Sequence, residues 1–152
     1  MAKLKRLEIS HLRNLDQVQL SPSPQINIFF GNNGSGKTSL LEGIHLLGLG
    51  RSFRSSKTES VIQDSSQRCT IFAELRDGIS VGLIKERRQS QILKLQGDRQ
   101  RNWIEAARHL PLQLINAESF SLLEGGPKTR RRFLDWGVFH VEHSFIGNWR
   151  NA

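Results

Sequence analysis

One eight-residue segment limits this chain more than anything else in it. Gly31-Asn32-Asn33-Gly34-Ser35-Gly36-Lys37-Thr38 fits G-x-x-x-x-G-K-[ST] at every fixed position. Such a segment works between a strand and a helix, because the amides of the loop and of the first helical turn must converge on one anion. The flanks agree. Ile26-Asn27-Ile28-Phe29-Phe30 precedes the loop as a β-forming apolar run, and Leu40, Leu41, Ile44 and Leu47 follow it at helical spacing. The sequence predicts a buried strand over 26–30, a loop over 31–36, and an amphipathic helix from Lys37 that stops at Gly48 or Gly50.

The residue types explain the chemistry. Glycines let the backbone wrap a β-phosphate in dihedrals that side chains forbid. Lys37 brings positive charge to the β- and γ-phosphates, the Thr38 hydroxyl suits Mg²⁺, and Ser39 is within reach of the α-phosphate. The candidate nucleotide-binding residues are Gly31, Asn32, Asn33, Gly34, Ser35, Gly36, Lys37, Thr38 and Ser39, with Thr38 as metal ligand and ATP–Mg²⁺ as the expected cofactor. A chance glycine-rich turn would account for a glycine triplet, but not for eight positions in this context.

Elsewhere the pattern is mostly β. Leu4 to Leu12 and Val18 to Leu20 read as a first antiparallel pair, and Ser21-Pro22-Ser23-Pro24 as a turn. Cys69 to Leu75, the Asp77-Gly78 turn and Ser80 to Ile84 read as a hairpin, with a third strand over Gln91 to Leu95. A short helix is expected over Trp103 to Leu110, a buried strand over Leu112 to Ile115, a helical turn over Ser119 to Glu124, and a last helix opened by Pro127. The apolar pair and Trp149 near the end suggest a chain cut inside structure.

Charge points to an anionic partner. Lys and Arg number 22 against 14 Asp and Glu, a net +8. Nucleic acid and nucleotide phosphate are the expected partners. The charged start lacks an apolar run behind it, and no stretch approaches the roughly 18 apolar residues that span a bilayer. With the lone Cys69, this reads as a cytoplasmic protein without membrane contact. His11, His45, His109, His140 and His143 show no metal spacing with Cys69. Lys85, Arg87 and Arg88 are expected to coat a sheet edge, Gln113 to sit buried in a strand, and Trp103, Trp136 and Trp149 to serve the core.

Three further segments carry a family resemblance. Leu7-Glu8-Ile9-Ser10-His11-Leu12-Arg13-Asn14 resembles the L-x-I-x-x-F-R-N opening of RecF proteins, with Leu12 in place of the usual Phe. Gly50-Arg51-Ser52-Phe53-Arg54 resembles the segment after their P-loop helix, and Gly125-Gly126-Pro127 through Arg130-Arg131-Arg132-Phe133-Leu134-Asp135 resembles G-G-P-x-x-R-R-x-F-L-D. The resemblance implies an α/β fold: an ABC-type P-loop ATPase head, of which residues 1–152 form the N-terminal lobe, with a mixed sheet around the P-loop helix and an antiparallel β subdomain. It implies an ATP-dependent DNA-binding role in repair, replication and recombination, including the SOS response. It further implies recombinase loading on gapped single-stranded/double-stranded DNA with RecR and RecO, and an ATP-dependent homodimer. Arg51, Arg54, Lys128, Arg130, Arg131 and Arg132 are the candidate DNA contacts, and Gln113 or Glu118 the candidate nucleotide sensor.

Two departures accompany the resemblance. Ala117-Glu118-Ser119 stands where the family usually has Pro-Glu, and no apolar run ends in two acids. The signature motif and Walker B acids are therefore expected beyond Ala152, no catalytic residue is assigned within the chain, and nucleotide binding without efficient hydrolysis is the expected behaviour. The alternatives are an SMC/Rad-type or other ABC-class head, and a DNA-binding module that uses ATP only as a conformational ligand.

Overall fold

A computed structural model describes residues 4–142, without the side chains of Thr58, Glu118, Ser121 and Leu123. The described residues belong to two compact units divided between Leu112 and Gln113.

The first unit is built on a six-stranded sheet in the order β2-β1-β3-β4-β5-β6. Its strands are β1 (Leu4–Leu12), β2 (Leu15–Leu20), β3 (Arg68–Leu75), β4 (Ser80–Glu86), β5 (Ile92–Leu95) and β6 (Asp98–Gln100). Every ladder is antiparallel. Alternation sets the faces: Cys69, Ile71, Ala73 and Leu75 of β3 are buried, while Thr70, Phe72 and Glu74 between them are only partly so. Gly78, at φ 87°, closes the β3–β4 hairpin at the expected Asp77-Gly78 turn.

Helix α1 (Lys37–Leu49) lies on the buried face. Leu40, Leu46 and Leu47 pack there with Leu7, Ile9, Leu12, Ile71, Val81 and Leu83. Gly43 permits the close approach, since a methyl group there would come within 2.7 Å of the Ile9 side chain. The helix ends at Gly50, in left-handed conformation, whose amide donates to the Leu46 carbonyl. Helix α2 (Ile104–His109) follows β6, and Trp103 ahead of it packs against the core and donates its indole N–H to Leu47 O at 3.2 Å.

In the second unit Ala117–Phe120 forms a 3₁₀ turn, followed by α3 (Ser121–Glu124) and α4 (Pro127–Val141), with Pro127 opening α4 as expected. Arg130 donates to the carbonyls of Leu122, in α3, and of Gly125, just after it. Phe133 stacks on Trp136, and Trp136 meets His140 edge-on.

Several expectations need correction. Residues 26–30 and 112–115 form no strand, and Ile26, Ile28, Phe30 and Ile115 are exposed. Neither segment joins a ladder of the six strands among the described residues, and no parallel pair makes the sheet mixed. Gln113 is exposed rather than buried, its amide donating to Leu114 O. Lys85 does not coat an edge: it lies on the core face of β4, an interior strand, and its ammonium reaches Gln89 O at 2.7 Å. Arg87 instead straps the loop at Gln63 and Ser66 through their carbonyls. The three-residue β6 escaped the sequence reading. His143 and Trp149 lie outside the described residues.

Candidate functional site

The site begins at the N-terminus of α1. Gly36 caps the helix at φ 94° without a side-chain cap, and Gly34 stands at φ 83°, so the entry turn is left-handed twice within three residues. Lys37 Nζ folds back over the loop and donates to the carbonyls of Gly31 (2.7 Å) and Asn32 (2.8 Å), with Ser35 Oγ at 3.4 Å. The ammonium is thus held beside the amides that open the helix, which concentrates positive potential at one point. Thr38 is exposed in the first turn.

This loop forms one wall of a cavity of about 750 Å³, lined by residues from Asn33 to Ser39. Arg13 and Asn14, from the β1–β2 turn, together with Arg54, Ser60, Ile62 and Asp64, form the rest. The cavity is open, polar and flanked by cations, which suits a polyphosphate.

Beneath it sits Glu42, one turn beyond Thr38 and with no exposed surface. Arg13 grips the carboxylate with two guanidinium nitrogens, at 3.1 and 2.8 Å. Ser52 Oγ donates to it at 2.5 Å and Arg54 at 3.3 Å. Burial pushes the Glu42 carboxyl up, but the hydrogen bonds from Arg13 and Ser52 and the charges of Arg13 and Arg54 outweigh it and hold the group below its ordinary value of 4.5. Glu42 is therefore a structural anion that aims two arginines, not a free base. On the same helix, burial lowers His45 below 6.5, against the raising effect of the carbonyl of Arg51 at 2.7 Å.

The anticipated loop residues come together as a unit. Arg54 joins them at the cavity, whereas Arg51 is exposed and does not line it. Lys128, Arg130, Arg131 and Arg132 lie on α4 in the second unit, all exposed. No group of three or more potential metal-ligating side chains occurs among the described residues. Arg13, Asn14, Ser52 and Asp64 also belong to the site, although no motif spacing marks them as such. Arg13 and Asn14 did stand in the opening segment, but nothing local tied them to a loop 17 or more positions away.

A family model for the RecF/RecN/SMC N terminal domain matches residues 3–129. The chain belongs to that family. It is 53% identical over 151 residues to the DNA replication and repair protein RecF of Pseudomonas entomophila, and 55% identical to that of Stutzerimonas stutzeri. Each match covers 97% of this chain, which spans 41% of the length of those relatives. Among solved structures, the recombination mediator RecF with ATP superposes with a TM-score of 0.81 at 24% identity, covering 97% of this chain and 41% of that one. An Smc head domain from Pyrococcus furiosus superposes at 0.74 and 16%, covering 89% of this chain and 41% of that one. These structures establish the fold, an ABC-type ATPase head of α/β class, as the RecF resemblance in the sequence implied. No described helix is long and apolar enough to cross a membrane.

Proposed function

We propose that this chain is the nucleotide-binding lobe of an ATP-dependent DNA-repair protein of RecF type. Residues Gly31 to Ser39 take ATP, with Thr38 as a Mg²⁺ ligand. The observation that carries this reading is Lys37, seated within a glycine-rich turn at the start of α1 and facing an open cavity. The RecF neighbours described with ATP and with ATPrS support the choice of nucleotide. The test is titration calorimetry of ATP–Mg²⁺ against the wild type and Lys37→Ala. The Lys37 ammonium bonds only oxygens of the loop, so the substitution should weaken binding far more than folding. Equal affinity of the two folded proteins would refute the assignment.

The wider role follows from the same kinship. ATP-driven dimerisation and DNA-stimulated activation are described for SMC ATPases, and the net charge of +8 favours DNA phosphate. Arg51, Arg54, Lys128, Arg130, Arg131 and Arg132 are the proposed contacts. Binding should then fall steeply with salt and show little sequence preference; a salt-insensitive or strongly sequence-specific curve would remove this part of the proposal. Recombinase loading on gapped DNA with RecR and RecO belongs to the same reading. Hydrolysis by this chain alone should be negligible, because Glu42 is engaged by Arg13, Arg54 and Ser52 and cannot order an attacking water. Phosphate release above that of Lys37→Ala, rising with DNA, would show otherwise.

A further inference from the structure

We propose that Asn14 is a positioning residue for the nucleotide loop, an inference that rests on the nucleotide reading above only for its ligand-binding arm. Asn14 lies in the two-residue turn between β1 and β2, at least 20 positions from the groups it holds in the loop and α1. Its Nδ2 donates to Gly34 O at 2.6 Å, and its Oδ1 accepts the hydroxyl of Ser39 at 2.7 Å. One planar amide thus joins the middle of the loop to the first turn of α1. Its orientation follows from the partners, since the Gly34 carbonyl only accepts and must face the NH₂ group.

The bond to Gly34 matters because of what the same peptide does at its other end. Ser35 N–H donates to Asn32 O at 3.2 Å, so the 34–35 peptide plane is held on both sides. Gly36 and Lys37 leave a plane that cannot rotate freely, and their backbone begins the helix whose amides meet the anion. The flanking residues of the turn reinforce this. Arg13 holds Glu42 in the second turn of α1, and the Leu15 side chain occupies the space where a Cβ on Gly36 would lie. Arg13 N–H also donates to Val61 O at 2.8 Å, which ties the turn to the Ser60–Ile62 wall of the cavity.

A second consequence concerns Ser39. Its side chain is buried and its proton is directed to Asn14, so the brace acts at the α-phosphate end of the loop as well as at its middle. The loop is therefore preset before any ligand arrives, which reduces the ordering cost of binding.

Amide hydrogen exchange on the ligand-free chain tests the brace directly. Asn14→Ala should speed exchange at Ser35, whose amide is bonded to Asn32 O, roughly ten-fold, with Leu46 and Leu47 unchanged. Asn14→Asp, which keeps the acceptor for Ser39 but loses the donor to Gly34, should behave in the same way at Ser35. Unchanged exchange in both variants would overturn the proposal. In calorimetry, Asn14→Ala should weaken ATP and inorganic pyrophosphate by a common factor of roughly ten, because the brace serves the phosphate loop. Loss confined to ATP would assign Asn14 to the nucleoside and overturn the positioning role. Ser39→Ala combined with Asn14→Ala should weaken binding less than the product of the single effects, and simple multiplication would count against a shared brace. A wild type that binds neither ATP nor pyrophosphate would defeat the nucleotide reading, while the exchange arm would still decide the brace.

Discussion

Residues 26–30 and α1 stand on either side of the same loop, and both are rich in apolar side chains. Their fates differ. Leu40, Leu46 and Leu47 of α1 are 6%, 2% and 0% exposed, whereas Ile26, Ile28 and Phe30 are 75%, 78% and 90% exposed. A helix satisfies its own backbone and needs only a surface to lie on, which the sheet provides. An extended segment needs the N–H and C=O groups of a neighbouring strand, and 26–30 pairs with none of the six described strands. Apolar content therefore reports a demand for burial without naming the surface that meets it.

The sharpest way to separate the two sides is at Glu42, because α1 carries the buried charge and 26–30 carries none. Glu42→Gln leaves Arg13 and Arg54 around a site built for an anion, and should cost about 3–5 kcal/mol in urea denaturation. The pH dependence has a definite sign. The folded pKa lies below 4.5, so ionised Glu42 stabilises the fold above that pH, and the benefit is lost as pH falls through the lowered folded value. The variant should show a flatter acid limb; an unchanged limb would mean that the cluster does not stabilise the chain. Next in size is Leu47→Ala, which removes a side chain with no exposed surface and should cost about 3 kcal/mol. A loss under 1 kcal/mol would mean that α1 packs as loosely as its counterpart. Gly36→Ala, at the junction of the two, combines a left-handed backbone with a contact on Leu15. About 1–2 kcal/mol is expected, together with loss of ATP binding, and normal values of both would show that the entry turn differs in solution.

What the sequence disclosed follows the same division. The loop, α1, the β3–β4 hairpin and the Pro127 start of α4 all depend on neighbours within a few positions, and their residues declare them. Features set by distant partners were not readable. Arg13 and Asn14 act on Glu42, Gly34 and Ser39 across 20 or more positions. Lys85 looks like an edge cation until the strand order makes β4 interior. The short β6 has too few residues to display a period. At the site, Gly31 to Ser39 could be named because their spacing is the chemistry, while the cavity's other walls come from three separate stretches of chain.

The smallest effect is expected at Ile28, and it tests the comparison from its quiet side. Ile28 looks like a core residue by type and by neighbours, so the sequence would assign Ile28→Ser a cost like that of Leu47→Ala. The exposure of 78% assigns it almost none, because little apolar contact is lost and the hydroxyl meets water. Stability should stay within ~0.5 kcal/mol of the wild type. The measurement is the urea midpoint at two protein concentrations an order of magnitude apart. A loss above ~1.5 kcal/mol that is independent of concentration would mean that 26–30 is buried within the chain and that the contrast with α1 is false. A loss that grows with concentration would mean that the segment is covered by a second copy, since apolar surface removed from water between chains gains stability by mass action. An unchanged midpoint at both concentrations would leave the two flanks of the loop as unlike in energy as they are in exposure.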